Sequence, residues 1–293
     1  MIARMDKALA EIRAVAGRDA ALAAEGAVVF VEKVFPAVRD AESSWGALGS
    51  AAYGAVEALV PIIAAAPVSD AVRTKWLDRL WEAIEVYDPR YLWPLGDHWG
   101  DLCVTPEFAS RWADCHLPML KDMADERRRG LGPYFTGASL CYSALFKAGR
   151  HNEILGLLEA DPSPVWLYLI WGGRVLAARQ QVDDAIAYLE TRLDERAPMG
   201  TLARFAEEVL LRAGRRAEAY TKYAVAANQA NSRLATYRAI AKKYPEIEPD
   251  RLLRDLIDAT PGEEGKWFAT AKTLKRLDLA PSSRGARRAI RRP

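Results

Sequence analysis

The chain has 293 residues, of which 51% are hydrophobic and 27% charged, and its formal net charge is +2. So large an apolar share excludes a disordered chain, and so small a net charge excludes nucleic-acid binding through the surface as a whole. The charge is uneven, because residues 281–293 hold five arginines and no acid, which leaves −3 on the remainder.

The N-terminal run MIARMDKALAEIRAVAG carries charges every few residues and does not read as a signal peptide. Ile2, Met5, Leu9, Ile12 and Val15 recur at threes and fours, which predicts a helix stopped by Gly17. Asp19 is a candidate cap for a second helix running toward Phe35 and Pro36. Leu48, Ala52, Val56, Leu59 and Ile63 form a third stripe, with Pro61 expected to kink or end it. The surrounding stretch Ser43–Ser69 is the nearest approach to a membrane span. It contains Glu57 and Pro61 and is rich in Ala and Gly, so it reads as a buried helix, and no membrane partner is expected. Ser69 should cap a helix presenting Val72, Trp76, Leu80, Ile84 and Tyr87 on one face.

Tyr87 to Thr105 is the least regular part of the chain. Helix is expected again at Thr105–Pro106, a cap followed by proline in the first turn. Arg127, Arg128, Arg129, Gly130, Gly132 and Pro133 mark a candidate boundary. It divides an N-terminal helical region, 1–130, from a second region, 131–280, with the basic tail 281–293 read as disordered. Ser163–Pro164, Glu248–Pro249 and Thr260–Pro261 read as helix starts. In the last, Glu263 is placed to complete a capping box. No segment keeps the two-residue alternation of a strand, so the fold class is all-α.

Three segments align without gaps: FKAGRHNEI from Phe146, AARQQVDDA from Ala177 and LRAGRRAEA from Leu211. Their acids, Glu153, Asp184 and Glu218, are spaced by 31 and then 34 residues. Gly149 and Gly214 suit a left-handed helix end, and Gln180 takes their place in the middle copy. The acid falls in the first turn of the following helix, where the helix dipole favours it. Ile154, Ala185 and Ala219 come next and let paired helices approach. This pattern, over roughly Thr136 to Tyr223, resembles the tetratricopeptide-like (TPR-like) helical-repeat superfamily. The resemblance implies a right-handed stack of antiparallel helix pairs, an α-solenoid, in the C-terminal half, beside an irregular helical N-terminal half. It also implies a concave surface of the kind that holds peptides or proteins. A last helix, Glu263–Ala280, should carry Trp267, Phe268, Ala271 and Leu274, and either caps the stack or turns Trp267 and Phe268 toward a partner or toward a second copy of the chain in a homo-oligomer.

Five of the nine tryptophans fall between Trp76 and Trp112. The loop YLWPLGDHWGD therefore offers Tyr91, Trp93, Asp97, His98 and Trp99 as binding residues, with aromatic contact surface beside a proton-carrying pair. The same rings could instead be core. His98, Cys103, Cys115 and His116 have zinc-ligand chemistry without zinc-ligand spacing, so no metal and no cofactor is expected. Cys115 and Cys141 are expected inside helices and inert. The three cysteines do not suggest a disulfide framework, which fits a reducing cytoplasm. No nucleophile elbow, P-loop or dinucleotide fingerprint occurs. The sequence thus points to a non-catalytic interaction module with a protein or peptide partner. The alternatives are an enzyme built on residues 91–101, or weak nucleic-acid association through the basic tail.

Overall fold

The computed structural model describes residues 1–39, 47–86, 93–131, 135, 137–262, 264–276 and 278. Helix dominates, and no strand occurs among the described residues. The chain divides into two compact units, Met1–Val175 and Leu176–Pro293. The boundary expected after residue 130 falls inside the first unit.

The first unit contains α1 (Ile2–Ala16), α2 (Ala20–Arg39), α3 (Ala47–Ala65), α4 (Asp70–Val86), α5 (Trp93–Cys103), α6 (Pro106–Arg128), α7 (Ala138–Lys147), α8 (His151–Ala160) and most of α9 (Trp166–Ala178). Local chemistry sets several starts. Asp19 Oδ1 accepts from the Leu22 N–H at 2.9 Å, and Thr105 Oγ1 from the Phe108 N–H at 3.2 Å, with Pro106 in the first turn. Pro61 lies within α3, which continues to Ala65. The start expected at Ser163–Pro164 is displaced to Trp166, because the Ser163 N–H is held by Asp161 Oδ1 in a turn.

Packing here is not a simple succession of neighbours. Helix α3 packs on α1, α2 and α5, and α5 packs on α3, α6 and α7. By length and composition Leu48–Ala65 could cross a membrane. In this fold its Ala52, Val56, Leu59 and Ile63 are buried in one core with Leu80, Leu102, Leu120 and Leu145. Two arginines tie the unit together, Arg73 buried and Arg127 half-buried. The Arg73 guanidinium donates to the carbonyls of Ile63 (3.3 Å), Ala66 (2.7 Å) and Leu102 (3.1 Å), closing the ends of α3 and α5. Arg127, at the end of α6, pairs with buried Asp161 at 2.6 Å.

The second unit contains α10 (Val182–Arg192), α11 (Thr201–Arg212), α12 (Arg216–Ala227), α13 (Arg233–Lys243), α14 (Pro249–Asp258), a 3-10 turn (Glu264–Trp267) and α15 (Phe268–Thr273). Each helix from α10 to α14 packs on the next. Glu207 of α11 is buried and accepts from Asn228 Nδ2 (2.7 Å), Lys243 Nζ (2.6 Å) and the Tyr244 hydroxyl (2.9 Å), which fixes α11 against the ends of α12 and α13.

The three aligned segments make one turn three times. Gly149, Gln180 and Gly214 all adopt left-handed φ, at 73°, 65° and 74°. In each copy the N–H of the next residue reaches five residues back: Arg150 to Leu145, Gln181 to Leu176, and Arg215 to Leu210. Arg150, Gln181 and Arg215 then bond the acid three residues on, Glu153, Asp184 and Glu218. Ile154, Ala185 and Ala219 follow, each fully buried.

The C-terminal end departs from expectation. The anticipated helix Glu263–Ala280 is a 3-10 turn followed by the short α15. Thr260 does not begin it. The Thr260 hydroxyl donates back to the Leu256 carbonyl at 2.9 Å and so closes α14. Glu263 and residues 279–293 lie outside the described residues.

Candidate functional site

The stretch expected to be a loop is helix α5 from Trp93 onward. Leu95, Trp99, Leu102 and Cys103 fall on one face and are buried, and proline at 94 is tolerated in a first turn. Gly96 and Gly100 lie one turn apart, against Ser139 and Ser143 of α7. A Cβ on Gly100 would stand 2.4 Å from the Ser143 carbonyl oxygen, so only glycine permits this approach. The Ser143 hydroxyl completes the contact. It donates to the Asp97 carbonyl and accepts from the Gly100 N–H, both at 2.9 Å.

This packing turns Asp97, His98 and Asp101 outward. His98 Nδ1 lies 3.0 Å from Asp101 Oδ2, and the side chains are 40% and 57% exposed. The hydrogen bond that His98 donates to Asp101 raises the His98 pKa above its ordinary value, against the opposing effect of partial burial. The same bond lowers that of Asp101. Arg174 of α9 approaches Asp97 at 3.8 Å and lies 4.3 Å over the Trp171 ring. The result is a small surface of mixed charge backed by an indole.

Trp99 does not belong to that surface. It is fully buried, so the expected recess of Asp97, His98 and Trp99 is divided between surface and core. Tyr91 and the Trp93 side chain lie outside the described residues. The metal constellation is also dispersed. Cys103 is buried, and burial pushes its thiol up to about 12. Cys141 behaves the same way. Cys115 lies inside helix α6, where it is exposed and donates to the Arg111 carbonyl. His116 stacks on Trp112 with ring centroids 4.0 Å apart. Among the described residues no three His, Cys, Asp or Glu side chains gather closely enough to hold a metal.

A second surface joins aromatic residues of α4 and α6 with one that precedes α7. Trp112 and His116 lie one turn apart on α6 and Trp81 on α4, with Phe135 just ahead of α7. Trp81 meets Trp112, His116 and Phe135 edge-on at 6.2, 5.0 and 6.3 Å. All four rings are half-buried. Exposed Cys115 and Met119 extend the same side of α6, since positions 112, 115, 116 and 119 share a helix face. Trp99 lies beneath, 5.0 Å from Trp112, with an indole N–H that finds no acceptor. The concentration of tryptophans was visible in the sequence, but His116 and Phe135 join it only through folding.

At the C-terminal end, Trp267 and Phe268 part company. Trp267 is fully buried and its indole N–H donates to Thr260 Oγ1 at 2.7 Å, whereas Phe268 is 51% exposed. Only Phe268 remains of the interaction face expected there. No family model, curated protein or solved structure matches the chain.

Proposed function

We propose that the protein is a non-catalytic helical interaction module that binds a protein or peptide partner through the aromatic surface of α4 and α6. The observation that carries this is the half-buried set Trp81, Trp112, His116 and Phe135, continued by exposed Met119. Large rings that lose their remaining water on binding, with a flexible thioether beside them, are the composition of binding hot spots. In this reading the C-terminal helix pairs stack in the right-handed sense of TPR-like proteins and act as a scaffold. The three recurrent turns, which share one backbone conformation and hydrogen-bond pattern, support it. The three free thiols suit a reducing compartment, so the module is assigned to the cytoplasm.

The test compares the wild-type chain with Trp112→Ala and Met119→Glu in affinity capture from a native extract. The reading expects a partner held by the wild type and released by both variants, with helical content unchanged. Capture of the same proteins by all three chains, or of none by any, refutes it.

A further inference from the structure

We infer, resting on the reading of the α4–α6 aromatic surface as a docking site, that the segment it holds is a basic peptide. An arginine of that peptide lies against the half-buried rings of Trp81 and Trp112, with its charge held by carboxylates at their rim. Both helices carry such carboxylates. On α4, Asp78 and Glu85 stand one turn before and one turn after Trp81, on its side of the helix, and Glu82 lies beside them; all three are exposed. On α6, exposed Asp122 and Glu126 follow Met119 by three and seven residues and continue its face. None of these five carboxylates takes part in an ion pair or hydrogen bond among the described residues. Neighbouring cations do not offset them. Arg79 is bonded to Glu25 and Glu32, and Arg111 to Asp70. Lys75 and Lys121 sit about 120° and 140° around their helices from Trp81 and His116.

Charge complementarity selects the occupant. A rim of unpaired carboxylates repels phosphate, so neither a nucleic acid nor an anionic bilayer suits this surface. A purely apolar segment would cover the rings and leave the acids with nothing opposite them. A cation answers both parts at once, because the indole face is the strongest cation–π surface among side chains. Arginine answers them better than lysine. Its planar guanidinium stacks on a ring while its N–H fork donates to a carboxylate beside it.

The experiment is fluorescence anisotropy with the full chain and three labelled synthetic peptides on one alanine–leucine framework. They carry arginine, its neutral isostere citrulline, or glutamate at the same positions. The arginine peptide should bind about 10-fold more tightly than the citrulline peptide and lose affinity as salt rises, and the glutamate peptide should not bind. Asp78→Asn with Glu85→Gln should weaken the arginine peptide about 5-fold, the effect of two exposed ion pairs, and leave the citrulline peptide unchanged. Asp6→Asn with Glu57→Gln makes the same charge change on α1 and α3 and should alter neither. All four positions are exposed, so the melting temperature should not move. Absence of arginine-peptide binding at low salt, or equal binding of the arginine and citrulline peptides, overturns the inference. So does an arginine preference indifferent to Asp78 and Glu85. Capture from extract separates the two readings. A partner released by Trp112→Ala but kept by Asp78→Asn with Glu85→Gln sustains the docking surface and overturns the basic peptide. Self-association in sedimentation, abolished by Met119→Glu, would make the occupant a second copy of the chain and also overturn it.

Discussion

The guanidinium of Arg73 is buried, with no carboxylate bonded to it among the described residues. What holds it is the negative end of two helices, through the carbonyls of Ile63, Ala66 and Leu102. Arg73→Met should lower stability by about 3 kcal/mol in chemical denaturation, because it leaves several buried carbonyls unbonded. Gly100 makes a second test at this scale. Gly100→Ala drives a Cβ into the Ser143 carbonyl and should cost about 2–3 kcal/mol. Gly156→Ala, on the exposed side of α8 with nothing near its Cβ, should instead stabilise by about 0.5–1 kcal/mol. His98 and Asp101 give a pH signature. His98, raised in the fold, contributes stability below its unfolded value that is lost as pH rises through the folded value. Asp101, lowered, contributes above its unfolded value and loses this as pH falls through the folded one. The pair is therefore complete only in the window between the lowered Asp101 value and the raised His98 value. In an NMR titration, Asp101→Asn should bring the His98 pKa down. An unchanged value would show that this hydrogen bond does not form.

At the scale of elements, the recurrent turn can be tested by its own variation. Gln180 holds the left-handed conformation that Gly149 and Gly214 adopt without strain. Gln180→Gly should stabilise by about 0.5–1 kcal/mol, and Gly149→Ala should destabilise by about 1 kcal/mol, in thermal melts. Opposite signs at matching sites would identify backbone strain as the cause. These turns were legible in advance because their determinants are local: a residue that tolerates positive φ, then an acid in the next first turn. The start of α6 was legible for the same reason. Helix α5 was not. Its proline, glycines and aromatic residues look like loop chemistry until α7 is brought against it, and then the glycines are the contact. Thr260 was misplaced similarly. Threonine before proline suits an N-cap, but its hydroxyl closes the preceding helix and accepts the Trp267 indole.

At the scale of the whole molecule the described residues form two apolar clusters. One runs from Met5 to Val175, and the other gathers Tyr237, Leu253, Leu256 and Trp267. Leu80→Ala and Leu253→Ala should each cost about 2–5 kcal/mol by leaving a cavity. The clusters share no residues, so the double variant should equal the sum within about 0.5 kcal/mol. A larger deviation would mean that the two cores are coupled.

From the sequence alone came the helical class, several helix starts, the three recurrent turns and the basic C-terminus. All of these depend on periodicity, capping and charge carried within a few consecutive residues. Tertiary structure alone decided that Trp99 and Trp267 are core, that Arg174 faces Asp97, and that Trp81, Trp112, His116 and Phe135 share a surface. Each of those depends on which face of a helix meets another, and that is set by distant partners competing for the same apolar area.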